Sequence, residues 1–388
     1  MMATAKWKAA KLDELGFVGR GKSRHRPRNA AILYGGSYPF FQTGDIKAAN
    51  FYLTEFTQTY SEEGLAQSKL WKPGTLCITI AANIAESAIL GIEGCFPDSV
   101  VGFVADPDKA DVRFIKYYME ILKLQMQSVS RGTTQDNLSV DKLLSFDFCV
   151  PPLPLQRRIA GILSTYDDLI ENNQRRIRIL EEMARNLYRE WFVHFRYPGH
   201  ESVPLVDFSL GRVPQGWTVK RLGDVLELNY GKALKKEDRC DGEYPVFGSS
   251  GIVGTHDTAL VKGPGIIVGR KGNVGSVFWC DDDYFVIDTA YFVTSTLPLR
   301  YFFYVLPTLN FINSDAAVPG LSRNQAYTLE ILVPPTSLLY QFCELAATFQ
   351  LQATTLQRQT ANLRRTRDLL LPRLLSGQII LLEEAEIG

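Results

Sequence analysis

One segment of the chain has the residue types and spacing of a phosphate-binding loop. Residues Gly16 to Ser23 read GFVGRGKS and match the pattern G-x-x-x-x-G-K-S, in which backbone N–H groups and the lysine bind nucleotide phosphates. An apolar run that ends at Asp288 resembles the strand that holds magnesium in nucleotide hydrolases. Such a loop joins a buried strand to a helix, whereas the charged residues before Gly16 and the sequence RHRPR after it predict neither element. A nucleotide hydrolase that uses Lys22 therefore remains an alternative hypothesis.

Basic residues are concentrated in three segments, although the chain as a whole is neutral. Lysine and arginine together number 42, as do aspartate and glutamate, so the total charge gives no support for binding to a polyanion. The three segments contain Gly or Pro, which is typical of exposed loops. They either contact phosphates or form ordinary solvated surface. The candidate phosphate contacts are Arg20, Lys22, Arg24, Arg26, Arg28, Lys232, Lys235, Lys236, Arg239, Arg270 and Lys271.

The cysteines and histidines show no arrangement for metal binding or catalysis. Six cysteines are scattered without a CxxC pair, and four histidines lack both metal-ligand spacing and a nucleophile partner. We find no signature of adenine methylation, no cofactor-type glycine motif and no nuclease motif. We therefore expect a non-catalytic chain with no catalytic residue, no metal site and no cofactor of its own.

Composition predicts a folded protein of the cytoplasm. Hydrophobic residues make up 46% of the 388 residues and charged residues 22%, which is ordinary for globular domains. The N-terminus lacks the apolar core of a signal peptide, and the most apolar window, residues 77–91, contains Asn83 and Glu86. We expect the protein to make no contact with a membrane. We expect its cysteine thiols to be reduced.

The sequence repeats once, with a shared order of landmarks. Four residues near the start recur 210 positions later, where Trp7, Leu12, Gly21 and Lys22 correspond to Trp217, Leu222, Gly231 and Lys232. The motif Tyr-Pro-x-Phe at 38–41 recurs at 244–247, Leu-Ser at 138–139 recurs at 321–322, and Val-Pro-Pro at 150–152 recurs at 333–335. We predict two copies of one structural unit, which makes the basic segments after the two Gly-Lys pairs equivalent.

Each copy combines a globular part with a long helix. Short apolar runs bounded by Gly, Pro and Asp predict buried strands, and residues 112–127 predict a helix, so the globular parts are of the α+β class. After each Pro-Pro pair, apolar residues recur in steps of three and four, which is a heptad seam. Each helix extends over about 35 to 40 residues, or about 55 to 60 Å. The predicted seam residues are Ile159, Ile162, Tyr166, Leu169, Asn173, Leu180, Leu187, Phe342, Leu345, Phe349, Leu356, Leu363 and Leu370.

Connectivity predicts how these parts are arranged. The first helix carries the chain from one globular part to the other, and a second helix that folds back along it gives an antiparallel coiled coil with pseudo-twofold symmetry. Packing of each helix on its own globular part alone is the competing interpretation. We predict head 1 at residues 1–152, a central helix at 153–197, head 2 at 198–335, a C-terminal helix at 336–377 and an acidic tail at 378–388.

Several segments carry motifs of one known family. GRVPQGW at 211–217 and RLGD at 221–224 lie where a head begins, TTQDNL at 133–138 and VPPLPLQRRI at 150–159 lead into the first long helix, and RNLYREWF at 185–192 ends it. Taken together and in their order along the chain, these motifs resemble the specificity (S) subunit of type I restriction-modification systems, the HsdS family. The resemblance covers nearly the whole chain. The second copy departs from the pattern, since Leu339 occupies the place of Gln156.

The resemblance implies a DNA-recognition and scaffold subunit without catalytic activity. Each head would be a target-recognition domain that reads one half of a bipartite, asymmetric site in double-stranded DNA. The helices would set the gap between the halves and dock two methyltransferase (M) subunits, which methylate adenine with S-adenosylmethionine. Restriction (R) subunits would use ATP and Mg²⁺ to translocate and cut DNA. A specificity subunit of a methyltransferase-only or phage-defence system is a further alternative.

Overall fold

The computed structural model describes residues 7–131, 138–209, 211–311, 320–379 and 381, with the main chain alone at 129–131. Most of the predicted acidic tail and most of the TTQDNL motif therefore lie outside the described residues. The chain divides into two compact units: unit 1 comprises residues 1–175 and 357–388, and unit 2 comprises residues 176–356. Each unit contains a set of short strands and a part of both long helices.

Unit 1 begins with the elements of the first repeat. Its strands in the described residues are β1 (Lys8–Ala10), β2 (Gly16–Arg20), β3 (Tyr34–Phe40), β4 (Tyr52–Leu53), β5 (Gln58–Tyr60), β6 (Leu76–Thr79), β7 (Ser87–Leu90), β8 (Val100–Ala105) and β9 (Phe148–Val150). Its helices are α1 (Thr43–Ala48), α2 (Glu62–Ala66), α3 (Val112–Arg131), α4 (Val140–Ser145) and the first part of α5 (Leu153–Tyr188).

The core of unit 1 lies between a sheet and α3. Strands β2, β8, β6, β7 and β4 form one sheet in that order, antiparallel except for the β4–β7 pair. Strand β1 pairs with β9, which brings the two ends of the head together. Apolar residues of α3 recur at helical spacing, so one of its faces packs on the sheet. Fully buried members of this core include Leu76, Ile78, Phe103, Phe114 and Ile115.

Unit 2 contains the elements of the second repeat. Its strands in the described residues are β10 (Leu205–Phe208), β11 (Gly211–Pro214), β12 (Thr218–Arg221), β13 (Leu226–Tyr230), β14 (Tyr244–Gly248), β15 (Gly251–His256), β16 (Gly265–Gly269), β17 (Val277–Cys280), β18 (Phe285–Val286), β19 (Ala290–Ser295) and β20 (Glu330–Val333). Its helices are α6 (Leu299–Val305), α7 (Arg323–Tyr327), the end of α5 and the first part of α8 (Thr336–Leu375).

The internal repeat is confirmed, because the two units share one strand order. The order β13-β19-β16-β17 of unit 2 matches β2-β8-β6-β7 of unit 1, and the terminal pair β12–β20 matches β1–β9. The Leu-Ser landmark also has a structural reason. Ser139 and Ser322 each cap a short helix by accepting a backbone N–H three residues on, from Lys142 and Gln325. The α+β class is confirmed in both units.

The two long helices begin directly after the Pro-Pro pairs. In unit 1 the buried Gln156 side chain donates to the carbonyl of Pro151 at 2.9 Å and accepts the N–H of Asp111 at 3.1 Å. The second copy has Leu339 at this place, and it is fully buried in the core of unit 2. The hydrogen bonds of Gln156 in one copy are thus replaced by apolar packing of Leu339 in the other. Helix α5 closes with a π-helical turn at Arg189–Val193, and α8 contains Pro372 in its last turn.

Part of the predicted seam is displaced by one residue. Leu169 is 45% exposed and Leu345 is 44% exposed, whereas their neighbours Ile170 and Ala346 are buried. At these two steps the buried residues are Ile170 and Ala346, so placing Leu169 and Leu345 in the seam was wrong. A hydrophobic pattern does not distinguish a leucine from an apolar neighbour on the adjacent face of the helix. Ile159, Asn173, Phe342 and Leu356 are buried, and Ile162, Tyr166, Leu180, Leu187, Phe349, Leu363 and Leu370 are half-buried.

Within each unit the two helices pair in opposite directions. In unit 1, Asp167 near the start of α5 accepts hydrogen bonds from Arg367 near the end of α8 and from the Tyr117 hydroxyl of α3. In unit 2, Phe342 near the start of α8 packs against Phe192, just after the end of α5, with ring centroids 4.8 Å apart. The antiparallel pairing predicted for the coiled coil is therefore confirmed. The competing interpretation, in which each helix packs only on its own globular part, is excluded.

Candidate nucleic-acid interface

The shared Gly-Lys pair has the same backbone geometry in both heads. The N–H groups of Gly21 and Gly231 donate to carbonyl oxygens at 2.8 and 3.2 Å, and those of Lys22 and Lys232 donate at 3.2 and 2.9 Å. A Cβ atom added to Gly21 or Gly231 would lie 2.3 or 2.2 Å from a carbonyl oxygen, so no other residue fits there. Both lysines follow directly and are exposed. The four acceptors are the carbonyls of Val100, Ala290, Phe96 and Val286.

The phosphate-loop interpretation of residues 16–23 is wrong. Residues Gly16–Arg20 form strand β2, and each is paired in register with β8. The backbone of this strand therefore belongs to the sheet, and residues 21–30, which follow it, form no helix. Without converging N–H groups at a helix N-terminus there is no phosphate cradle. A nucleotide hydrolase that uses Lys22 has no structural basis in this segment.

The basic residues of head 1 divide into anchored and projecting side chains. All five lie on the exposed surface. Arg20 donates to the main-chain carbonyl of Asp98, Arg28 forms an ion pair with the Asp98 carboxylate at 2.8 Å, and Arg26 donates to the carbonyl of Ser23 at 2.8 Å. Lys22 and the side chain of Arg24 make no ion pair with any described residue. Among the five predicted residues of head 1, these two have no contact that ties the side chain to another described residue.

Lys69 extends this basic surface and was missed by the sequence argument. Its ammonium group lies 3.6 Å from the ring centroid of Trp71 and 4.8 Å from that of Phe17. Partial burial, followed by the charge of Lys22, lowers the pKa of Lys69. The hydroxyl of Ser68, next to Lys69, donates to the carbonyl of Lys22 at 2.9 Å, so the two segments adjoin. A single lysine between apolar residues has no sequence signal, so only the fold reveals this neighbour.

The basic residues that follow Gly231 in head 2 are not equivalent to one another. Lys232, Lys235 and Lys236 are exposed. Arg239 is half-buried, and its guanidinium donates to the carbonyl oxygens of Val253 at 2.7 Å and Leu234 at 3.5 Å. Arg239 therefore ties this segment to β15, while the three lysines project from it.

The glycine-rich segment 269–275 is a hairpin, as expected, between β16 and β17. Arg270 donates to the main-chain carbonyl of Asp288 at 2.9 Å and lies over the ring of Tyr230 at 4.9 Å. Arg323, the first residue of α7, lies over the same ring at 5.1 Å and donates to the carbonyl of Leu228 at 3.4 Å. Lys271 forms a backbone bridge with Gly320. Tyr230 and Arg323 were missed, because only the fold brings β13, β16 and α7 to one place.

The matching hairpin of head 1 has the same backbone and different chemistry. It joins β6 to β7, and Ala82 and Ala85 have φ values of 61° and 62° where head 2 has Gly272 and Gly275 at 78° and 76°. Left-handed backbone is costly for alanine, so the fold imposes this loop shape in both heads. Ile80 of head 1 occupies the position that Arg270 has in head 2. The carbonyl of Arg270 accepts the N–H of Leu321, and the carbonyl of Ile80 accepts the N–H of the equivalent Leu138.

One group of potential metal ligands lies in head 2, although the sequence predicted none. Ligand atoms of Cys240, His256 and Asp257 lie within 4.8 Å of one another. However, Nδ1 of His256 accepts the backbone N–H of Cys240 at 3.2 Å, so the neutral ring carries its proton on Nε2, which lies 3.5 Å from the Asp257 carboxylate. Both ring nitrogens therefore have protein partners, and we assign no metal to this group.

Comparison with known proteins identifies the family. A family model described as "Type I restriction modification DNA specificity domain" matches residues 4–182 and 214–337. The chain belongs to this family. It is thus a non-catalytic specificity subunit that recognises DNA in complex with the other subunits of a type I restriction-modification system, where the catalytic activities reside. The sequence resemblance is confirmed, and the nucleotide-hydrolase hypothesis is set aside.

Similar proteins cover nearly the full length of the chain. The MjaIX specificity subunit of Methanocaldococcus jannaschii is 24% identical, over 96% of this chain and 93% of that protein. The EcoprrI specificity subunit of Escherichia coli is 22% identical over 77% of each. The crystal structure of a type I S subunit from M. genitalium has a TM-score of 0.66 at 16% identity, covering 96% of this chain and 97% of that one. That likeness supports the fold.

Among the described helices, none combines the length and apolar character required to cross a lipid bilayer.

Proposed function

We propose that each head reads one half of a bipartite, asymmetric site in double-stranded DNA. The observation that supports this most directly is the repeated Gly-Lys geometry, which presents an exposed lysine from the same backbone frame in both heads. Phosphate contacts from such residues set the register of a protein on DNA, while base-edge contacts supply sequence information. Two equivalent frames with different surrounding side chains suit two different half-sites.

In this proposal the basic residues of each head bind the phosphate backbone. In head 1 these are Lys22 and Arg24, assisted by Lys69. In head 2 the exposed Lys232, Lys235 and Lys236 take this role, together with Arg270 and Lys271 of the hairpin. Arg20, Arg26, Arg28 and Arg239 hold the loops in shape through the bonds that they make to their own chain.

We further propose that α5 and α8 set the gap between the half-sites and dock two methyltransferase subunits. Those subunits would bind S-adenosylmethionine and methylate adenine, and restriction subunits would use ATP and Mg²⁺. The proposed location is the cytoplasm. Within α5, Ile179 and Met183 lie one helical turn apart and are each 45% exposed, so they offer an apolar contact for such a subunit.

The test is the DNA preference of the full chain in complex with its methyltransferase subunits. Mapping methylated adenines in the host genome identifies the site, and equilibrium binding then compares DNA with both halves, either half and neither. We expect the intact site to bind about a thousandfold or more tighter than unrelated DNA, and loss of either half to remove most of that preference. Equal affinity for all four DNAs would contradict the proposal.

A further inference from the structure

The Tyr230 ring in head 2 contacts two arginine side chains. The ring is 49% exposed, and the guanidinium carbons of Arg270 and Arg323 lie 4.9 and 5.1 Å from its centroid. Within the described residues neither arginine forms an ion pair. Asp288 contacts Arg270 through its main-chain carbonyl.

Both guanidinium groups are held in place before any ligand arrives. Each donates one hydrogen bond to a main-chain carbonyl, Arg270 to Asp288 at 2.9 Å and Arg323 to Leu228 at 3.4 Å. Each also contacts the π face of Tyr230, an interaction that favours a cation over an aromatic ring. A guanidinium has five N–H donors, so most of the donors of each arginine remain for a ligand.

Two like charges against one ring repel each other, and a bound anion removes that cost. The same region also includes Lys232, two residues after Tyr230, which is exposed, and Lys271, which follows Arg270 and is half-buried. An arginine pair offers planar, forked donors that match the oxygens of a phosphate group. The arrangement therefore has the charge and the donor geometry of a phosphate site.

From these contacts we infer that Tyr230, Arg270 and Arg323 form a clamp for one backbone phosphate of the DNA half-site bound by head 2. This inference rests on the proposed function. It adds two residues, Tyr230 and Arg323, that no basic segment of the sequence indicates. Arg270 and Arg323 contact the phosphate, and Tyr230 is a positioning residue that acts through them.

The clamp is a property of head 2 alone. The equivalent positions of head 1 are Arg20 at the end of β2, Ile80 after β6 and Val140 at the start of α4. Ile80 and Val140 are aliphatic, and Arg20 donates to the carbonyl of Asp98. The two heads therefore differ in how strongly they hold the DNA backbone at the same place in the fold.

The experiment measures DNA affinity of the full chain in its methyltransferase complex over a range of salt concentrations. Each phosphate contact contributes about 0.9 to the slope of log affinity against log salt. Arg270→Gln/Arg323→Gln should lower that slope by about 0.9 and weaken binding about fivefold near physiological salt, equally for the cognate site and for DNA altered in the second half. Tyr230→Phe should retain wild-type affinity because it keeps the ring, whereas Tyr230→Leu should lose part of it. Arg221→Gln, an exposed arginine of the same unit, is the matched control.

A second measurement identifies the phosphate itself. Neutral methylphosphonate groups are placed one at a time along the second half-site. One position should weaken the wild-type complex and leave the double arginine variant unaffected. Three results for the double variant would each overturn the clamp. They are an unchanged slope of log affinity against log salt, a slope reduced by about two, and a changed base preference. If wild-type protein prefers the two-part site and the variant matches it, the clamp alone fails; if wild-type protein shows no such preference, the proposed function fails.

Discussion

The buried ion pair between the two long helices of unit 1 gives a strong test of how they are held together. The Asp167 side chain is only 3% exposed and bonds to Arg367, whose side chain is 25% exposed, and to the Tyr117 hydroxyl. Burial, the largest single influence, would lower the pKa of Arg367, but the charges and hydrogen bonds of Asp167 and Asp368 together raise it. Burial and the Asp167 carboxylate raise the pKa of Tyr117. Both donors therefore interact with the same buried carboxylate.

Arg367→Met leaves this carboxylate buried with a single donor. Breaking a buried pair from one side costs about 3 to 5 kcal/mol, and we expect the lower value, about 3 kcal/mol, because the quarter-exposed arginine shows that water comes near the site. For a unit of this size that loss lowers the melting temperature by about 6 to 12 °C. The double variant Asp167→Leu/Arg367→Met removes both charges and should recover most of the loss, since apolar replacement of a buried pair is often neutral or stabilising.

The assay is a double-mutant cycle on the full chain by thermal and urea unfolding, with hydrogen exchange to locate the change. Peptides of α3 and of the first part of α5 should lose protection in Arg367→Met, while peptides of unit 2 serve as the internal reference. Tyr117→Phe, which removes the second donor, should cost about 1.5 to 3 kcal/mol. The reasoning is refuted if Arg367→Met costs less than about 1 kcal/mol. It is also refuted if the costs of Asp167→Leu and Arg367→Met, measured singly, simply add in the double variant.

Three further predictions concern the Gly-Lys frame, alkaline pH and helix length. Gly21→Ala should destabilise unit 1 by about 1 to 3 kcal/mol, because the added Cβ would lie 2.3 Å from the Pro97 carbonyl oxygen. Gly44→Ala is the control, since a Cβ at Gly44 meets open space and should not destabilise the unit. Equal losses of stability for the two variants in urea unfolding would contradict the role of the Gly-Lys backbone geometry. Burial raises the pKa of Tyr188 from 10.0 to about 12. Its contribution to stability is therefore complete below pH 10, and up to about 2.7 kcal/mol is lost as the pH rises through 12. In urea unfolding, the free energy of unfolding of Tyr188→Phe should fall less steeply above pH 10 than that of the wild type, and an identical pH dependence would contradict this. One added heptad in both α5 and α8 should lengthen the gap between half-sites by about 10 Å, or about three base pairs, and mapping of methylated adenines that gives an unchanged gap would refute the proposed spacer role.

Periodicity and repeated landmarks were sufficient to predict the architecture. The Pro-Pro pairs and the heptad steps predicted two long helices, and the helices of the structure begin at Leu153 and Thr336. The side of each helix that forms the seam was harder to predict. Leu345 and Ala346 are adjacent, and hydrophobicity favours the leucine, but the structure buries the alanine and leaves the leucine 44% exposed. Which of two neighbours is buried depends on how the helix is rotated against its surroundings, and no local pattern encodes that rotation.

The candidate interface was predictable only where residues are close in sequence. The Gly-Lys pairs and the hairpin at 269–275 were identified from motifs and repetition. Lys69, Tyr230 and Arg323 were not, because each comes next to its partners through strand pairing and helix placement over long sequence separations. Only the structure shows that Arg239, a basic residue in a basic segment, donates hydrogen bonds to the main chain of its own head.

The two heads show how one backbone can carry two different surfaces. Their hairpins share hydrogen bonds and the left-handed residues at 82 and 85 or 272 and 275, although head 1 places alanine there. Because main-chain bonds and the close approach of Gly21 and Gly231 to neighbouring carbonyls fix the frame, the side chains that it presents can change without altering the fold. Arg270 in head 2 and Ile80 in head 1 occupy one such position. Exchanging only these outward side chains between heads should therefore change DNA contacts at constant stability, whereas changes to the glycines of the frame should lower stability first.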